Sequence, residues 1–350
     1  MDRTDLSRPN TWLWTTREGA EGDLVEELST GRPAIPARVV APSLVASEGA
    51  PPRGEGPLDV TFARQGFPVR AVASSSDLDA LARELADALA KSLDPAHFWT
   101  LQTWVPDSEA GNRLAGRATE LHARIERLLD PAHPALAARR TSAEGVARHG
   151  GALAQVCLAQ EDLAAFGVLP LPDALTLRHG GRARMKVSSD APSRAAMKLE
   201  EALDWLGFGP ERGELCVDLG AAPGGWTWVL VQRGARVIAV DPGRLRPDLQ
   251  RRKGVTEVTA SAFTYTPKEP VDWLFCDMAW RPLEVAQLLA KWARRRWARA
   301  VVANIKLPMK KKVEVVRKVR ETLRAAGWRD VRARQLYHDR DEITLHAWRG

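Results

Sequence analysis

The sequence predicts an α/β protein: a mixed α+β portion over the first ~180 residues, then an open, mostly parallel sheet covered by helices on both faces. Three observations predict it. From Asp190 onward, short apolar strands alternate with amphipathic helices. The stretch VDLGAAPGGWTWVL (217–230) reads as strand, tight Gly/Pro turn and helix. Before residue 185, short strands and helices mix without that alternation.

Taken in order, TWLWTT (11–16) is strand-like, and GAEGDLVEELST places Leu24, Val25 and Leu28 on one helical face. Gly31 to Pro57 is rich in Pro and Gly, with short strand-like pieces. Its part after Ser47 reads as a flexible loop. LDVTFARQGFPVR (58–70) reads as a strand entering a loop. Ser76 to Ser92 is an amphipathic helix with Ser76 as N-cap and a stripe of Leu78, Leu81, Leu85 and Leu89. FWTLQTWVP (98–106) is a strand, Arg113–Leu129 a helix and ALAQVCLAQ (152–160) a strand. In the second portion a helix over Arg194–Trp205 precedes strands at 214–220, 237–241 and 273–277. A helix at 283–297, a strand at 300–305, a helix at 310–326 and strands at 331–336 and 343–348 follow.

Composition narrows the function. The chain has 350 residues, 45% hydrophobic and 27% charged, the mix of a soluble globular protein with enough chain for a sizeable core. Cys157, Cys216 and Cys276 lie far apart in apolar contexts, and the seven histidines show no ligand spacing. This argues against a disulfide framework or a zinc module, implies no metal, and suits a reducing cytoplasm. The N-terminus MDRTDLSRPNTWLW lacks the apolar stretch of a signal peptide. No apolar run approaches the ~20 residues needed to span a bilayer. No coiled coil or interface stripe is evident, so a monomer is expected.

The net charge of +7 is uneven. Residues 291–350 carry 18 Lys+Arg against 6 Asp+Glu, leaving the remainder net acidic by 5. A basic region of this kind suggests a polyanionic partner, most simply nucleic acid; a solvated basic surface is the other reading. Arg294–Arg296, Lys310–Lys312 and Arg332–Arg334 are candidate phosphate contacts. Trp280 could stack on a target base or pack beneath its loop.

The glycine loop points to a nucleotide-like cofactor. Gly220, Gly224 and Gly225 let the backbone approach a ligand at the carboxyl end of the first strand of the sheet. The spacing is not GxGxxG, Pro223 removes one N–H, and no Gly-Lys-Ser/Thr follows. Asp241 ends the next strand, about 20 residues on, where an acid can accept from both ribose hydroxyls of an adenosine. The pattern fits a nicotinamide nucleotide or S-adenosylmethionine.

Ligands of open α/β sheets bind outside the carboxyl strand ends. Asp277 ends WLFC, Lys306 ends AVVANI, and Glu342 begins ITLHAW, which reaches the same edge if that strand runs antiparallel. Lys198 sits in the preceding helix, in PSRAAMKLEEAL. Two lysines and two carboxylates beside a cofactor loop suit hydroxyl methylation. A lysine can take the hydroxyl proton once burial or a neighbouring cation lowers its pKa, and transfer then depends on in-line placement.

DAPSRAAMKLEEA, VDLGAAPGGWTWVL, FCDMAWRP, NIKLPMKKK and ARQLYHDRDEITLHAWR together resemble the FtsJ-type ribose 2′-O-methyltransferases, most closely the RlmM type. The resemblance is dense over 188–350 and thins towards the N-terminus, where FARQ (62–65) and VPDSEAGNRLA (105–115) match best. It implies a Rossmann-like methyltransferase domain over 185–350, an N-terminal ferredoxin-like segment over 1–57 and a THUMP-like RNA-binding domain over 58–184. It implies S-adenosylmethionine as cofactor and large-subunit (23S) ribosomal RNA as partner, a cytidine ribose being methylated. It implies a catalytic tetrad of Lys198, Asp277, Lys306 and Glu342, with Lys306 as proton acceptor. Cofactor contacts are implied for Ser193, Asp218, Gly220, the Ala222-Pro223-Gly224-Gly225 turn, Trp226, Asp241, Ser261 and Asp277. Ser261 stands where the family usually has an acid, and FGVLPLPDALTLRHGG (166–181) departs from the family's linker.

The alternative is a non-catalytic RNA-binding or assembly factor on the same scaffold, which has no need of all four tetrad residues. A base methyltransferase would more often show an NPPY-like loop or a cysteine nucleophile. A nicotinamide oxidoreductase leaves Lys198, Lys306 and the basic C-terminal region unexplained.

Overall fold

A computed structural model describes residues 3–53, 58–185 and 188–349. The chain divides into two compact units, Met1–Arg182 and Ala183–Gly350.

The first unit comprises α1 (Arg3–Leu6), β1 (Thr11–Thr15), α2 (Glu21–Thr30), β2 (Ala37–Ala41), β3 (Leu44–Glu48), β4 (Gln65–Pro68), β5 (Ala71–Ser74), α3 (Leu78–Ser92), β6 (Trp99–Trp104), α4 (Glu109–Arg113), α5 (Ala115–Ala132), α6 (Pro134–Ala137), α7 (Ala143–His149), β7 (Ala152–Gln160) and β8 (Leu163–Pro170). These strands form two four-stranded sheets, ordered β2-β3-β1-β4 and β5-β8-β7-β6. The expected strand over 58–70 is reversed in order: a loop leads into β4. The reason is a contact from α2. The N–H groups of Thr61 and Phe62 donate to the Glu27 carboxylate, at 2.8 and 2.9 Å, rather than to a strand. Because β4 pairs with β1, the first sheet draws strands from both sides of residue 57.

In α3 the cap is Asp77, not Ser76; its side chain accepts from the N–H of Asp79 at 2.9 Å. The leucine stripe is buried as expected and shares a core with Leu121, Ile125 and Leu129 of α5. Each fully buried leucine contributes about 1.5–3 kcal/mol.

The second unit comprises α8 (Ala195–Leu206), β9 (Leu215–Leu219), α9 (Gly225–Gln232), β10 (Arg236–Asp241), α10 (Pro247–Gln250), β11 (Val255–Thr259), β12 (Val271–Asp277), α11 (Pro282–Arg294), β13 (Ala298–Lys306), α12 (Lys312–Ala325), β14 (Arg329–Arg334) and β15 (Glu342–Trp348). One seven-stranded sheet runs β11-β10-β9-β12-β13-β15-β14. The first five strands in that order are parallel; β15 is antiparallel to both its neighbours. The winding reverses between β9 and β12, which opens a crevice at their carboxyl ends. Aromatic residues Trp226, Trp273 and Phe275 join Cys216 of β9 and aliphatic side chains of β10 and β13 beneath it. Cys157, Cys216 and Cys276 are buried free thiols, and burial pushes all three up from the usual thiol range.

Candidate active site

The site is built where β9, β10, β12 and β13 end and β15 begins. Asp218, in β9, is fully buried. One oxygen accepts from Thr227 Oγ1 at 2.7 Å, while Oδ1 faces no partner among the described residues. Burial pushes this carboxyl up to about 7; Thr227 pulls down, and Asp277 and Asp241 push up.

The turn after β9 needs its glycines. Gly220 is left-handed at φ +80°, and a Cβ there would lie 2.6 Å from Met278 Cγ and 2.9 Å from the Asp277 carbonyl oxygen. Gly224 is left-handed at φ +113°, with Leu249 Cδ1 2.4 Å from its absent Cβ. At Gly225 the same position lies 2.4 Å from Ser193 Oγ, itself buried and unpartnered among the described residues. Gly225 opens α9, whose first-turn N–H groups have no helical acceptor and form the positive end of the helix. Ala222 and Pro223 complete the turn through a cis bond.

The other expected cofactor residues sit in different settings. Asp241 ends β10 and accepts from the N–H groups of Ala222, at 3.2 Å, and Gly243, at 2.6 Å, so it shapes the turn. The Trp226 side chain is buried edge-on to Phe275, its indole N–H donating to the Ala195 carbonyl at 3.0 Å. It locks α8 to the turn, leaving only its backbone for a ligand. Ser261 Oγ accepts from the Phe263 N–H at 3.3 Å and opens a turn after β11.

Lys198, Asp277 and Glu342 come together. Lys198 Nζ, on α8, lies 2.5 Å from Glu342 Oε2 and 3.5 Å from Asp277 Oδ1. Glu342 opens β15 directly across the ladder from Lys306, and Asp277 pairs in register with Asn304 on the same strand as Lys306. The antiparallel run of β15 brings Glu342 to this edge. Burial alone would lower Lys198, but Asp277, Glu342 and Asp339 outweigh it and raise it. Burial raises Asp277 despite the Lys198 ammonium, with Glu342 adding to the rise. Lys198 is therefore a fixed cation between two carboxylates. Lys306 is exposed, and its side chain makes no hydrogen bond or ion pair among the described residues.

Two groups at this edge escaped sequence reasoning. Glu201, on α8, accepts from the N–H groups of Tyr337 and His338, at 2.6 and 2.8 Å, and from His338 Nδ1 at 2.7 Å. His338 is thereby a structural residue. Asp339, 1% exposed, accepts from the Leu336 N–H and lies 2.9 Å from Thr344 Oγ1. Both carboxylates sit among charged residues and read in the sequence as solvated; the signal available was only their place beside the tetrad strands.

The basic runs divide. Arg294–Arg296 precedes β13 and lies at the amino edge of the sheet, away from the tetrad. Arg332 pairs with Asp330 at 2.8 Å, and Arg334 is buried. Lys310 and Lys311 are exposed in the connection that follows Lys306, at the tetrad edge. Trp280, 51% exposed, follows Asp277; its indole N–H donates to Glu284 at 2.7 Å and its ring leans on Phe263.

This sheet order, with its glycine turn at the switch point and the charged cluster at the adjoining strand ends, defines a methyltransferase of the FtsJ-like class: residues 191–321 match the FtsJ-like methyltransferase family. "Ribosomal RNA large subunit methyltransferase M" of Halorhodospira halophila is 39% identical over 314 residues, 85% of this chain and 84% of that protein. The protein of the same name from Alkalilimnicola ehrlichii is 34% identical over 360 residues, covering 97% and 94%. TrmN from Thermus thermophilus superposes with a TM-score of 0.36 at 15% identity, over 97% of this chain and 100% of that one. The chain belongs to the ribosomal RNA large subunit methyltransferase M family.

Proposed function

We propose that the chain transfers a methyl group from S-adenosylmethionine to the ribose 2′-hydroxyl of a cytidine in large-subunit (23S) ribosomal RNA, with Lys306 accepting the hydroxyl proton. The observation that carries this reading is the Lys198–Asp277–Glu342 cluster, whose Glu342 lies across the ladder from Lys306, a lysine with no side-chain partner among the described residues.

The cofactor reading has its own support. Ser193 Oγ and Asp218 Oδ1 are buried polar atoms without partners among the described residues, and flank a turn in which a Cβ at Gly220, Gly224 or Gly225 would collide. Such orphaned groups are costly unless a ligand meets them. Ser193, Asp218, Gly220, the Ala222–Gly225 turn, the Trp226 backbone, Asp241, Ser261 and Asp277 would hold S-adenosylmethionine, which supplies a methyl group on a positively charged sulfur. Asp218 can accept from an ammonium group, and Asp241 keeps lone pairs free for hydroxyl donors.

Held there, S-adenosylmethionine would supply the methyl group to the ribose oxygen, the carbon–sulfur electron pair would stay with sulfur, and the hydroxyl proton would have to leave. The proton leaves to Lys306, which must be neutral to take it. Lys198 stays an ammonium and cannot serve as base. It holds Asp277 and Glu342 in place, and Glu342 in turn faces Lys306. The work of the residues is thus orientation and proton acceptance.

We assign RNA capture to Lys310–Lys312 and to the THUMP-like portion, 58–184, which shares β4 with the sheet of the 1–57 segment. We take the enzyme to act as a monomer in the cytoplasm; no helix among the described residues is long and apolar enough to cross a membrane.

The test is a methyl-transfer assay on unmodified large-subunit ribosomal RNA, with Lys306→Ala as control and the product mapped by nuclease digestion and mass spectrometry. One ribose-methylated cytidine, lost in the variant, is expected. Full transfer by Lys306→Ala would remove the proton-acceptor role. Cofactor binding without methylation would mean another RNA substrate. No cofactor binding would turn the reading to a non-catalytic scaffold.

A further inference from the structure

Behind Glu342 lies a buried polar chain that the transfer reaction does not itself require. Thr344 Oγ1 lies 3.0 Å from Asn304 Oδ1 and 2.9 Å from Asp339 Oδ2. Asn304 Nδ2 makes long hydrogen bonds to Glu342 Oε2, at 3.4 Å, and Asp339 Oδ1, at 3.5 Å. Asp339, Asn304 and Thr344 are each no more than 1% exposed. Glu342 Oε2 is the same oxygen that meets Lys198.

Counting protons fixes the state of this chain. The orientation of Asn304 is set by Glu342: its NH2 must face the carboxylate, so its carbonyl faces Thr344. The Thr344 hydroxyl has one proton and two acceptors within reach. If Asp339 were a carboxylate, either it or the Asn304 carbonyl would face an oxygen lone pair at about 3 Å, in a site without water access. A neutral Asp339 removes the conflict: its hydroxyl donates to Thr344, Thr344 donates to Asn304, and Asn304 donates to Glu342. The Leu336 N–H donates at 2.9 Å to the same Oδ2, whose hydroxyl oxygen keeps a lone pair for it, and Asn304 Nδ2 faces Oδ1 at 3.5 Å.

We propose that Asp339 is held as the neutral acid and is a positioning residue for the tetrad, acting through Thr344 and Asn304 to fix the Glu342 carboxylate against Lys198. Its surroundings agree. Burial pushes Asp339 up to about 7, with the Glu201 and Glu342 carboxylates adding to the rise against the Leu336 and Thr344 hydrogen bonds. The effect on turnover rests on the reading of the tetrad given above; the proton on Asp339 does not.

Two measurements separate these parts. Infrared difference spectra of the intact protein, wild type against Asp339→Asn, should show a protonated-carboxyl carbonyl band lost in the variant. The absence of such a band at neutral and mildly acidic pH would overturn the neutral acid. In the methyl-transfer assay, Asp339→Ala, which removes the group that meets Thr344, should lower kcat. Thr344→Val keeps the shape but breaks the chain, and should lower kcat about tenfold or more at unchanged RNA KM. It stands in for Asp339→Ala should that variant not fold. Wild-type kcat in Thr344→Val would overturn the positioning role. If the wild type itself transferred no methyl group, the function proposed above would fail while the infrared result stood.

Discussion

Lys198 and Lys306 are the same residue type, the one meeting Glu342 from α8 and the other paired with it across the ladder, and their surroundings suit them to opposite tasks in the proposed reaction. Lys198 is bound by two carboxylates and stays charged; Lys306 has no side-chain partner among the described residues. Lys306→Ala and Lys306→Arg should both lower kcat by about a hundredfold or more, since arginine stays protonated. Lys198→Arg, able to keep both ion pairs, should retain more activity than Lys198→Met; single-turnover rates at saturating RNA check the contrast. A second residue makes a prediction about stability. His346 is buried against Phe208 and Trp273, with no partner on either ring nitrogen among the described residues. Burial pulls it from 6.5 down to about 4, Asp330 opposing and Arg332 assisting. Between those values the unfolded chain takes up a proton that the folded chain refuses, so stability falls as pH drops through that window. The loss is on the order of 3 kcal/mol at its limit. Denaturant titrations of wild type and His346→Leu should diverge with pH across it; parallel curves would mean that His346 titrates freely.

At the scale of elements, the turn between β9 and α9 is the most constrained backbone of the site. Gly220→Ala forces a side chain into a left-handed position and against the Asp277 carbonyl. It should cost about 1–3 kcal/mol and weaken cofactor binding in calorimetry, whereas Gly207→Ala, also left-handed but with open space around its Cβ, should cost only the backbone strain. The Lys310–Lys312 connection carries a different expectation. Reversing its three charges should lower the salt slope of RNA binding by about 2, while the same change at Arg294–Arg296, at the far edge, should leave it nearly unaltered. These elements also show what the sequence made readable. The turn, the strand ends and α8 follow from local patterns: glycines where φ is positive, apolar runs ending in a charge, a leucine and alanine face. The short VTEVT of β11, polar and half-exposed, has no such pattern and is a strand only because β10 offers it an edge. The loop ahead of β4 carries an apolar pattern that reads as a strand, and Glu27 overrides it. Asp339 and Glu201 look like surface charges in HDRDE and KLEEA. They are buried because the connection from β14 to β15 folds back onto α8, a tertiary fact that no local period encodes.

For the whole molecule, each unit encloses its own core, and the tetrad, the glycine turn and the buried carboxyl chain all belong to Ala183–Gly350. The basic excess of residues 291–350 falls in the same unit, so that charge lies in the unit that carries the proposed chemistry. The three buried thiols turn this division into a clock. In the folded chain each is shielded from reagents and held protonated, so an alkylating probe can label Cys157 only when the first unit opens, and Cys216 or Cys276 only when the second does. Following the mass gain at each site over time would give two independent opening free energies from one unmutated sample. S-adenosylmethionine should slow labelling of Cys216 and Cys276 while leaving Cys157 on its original schedule.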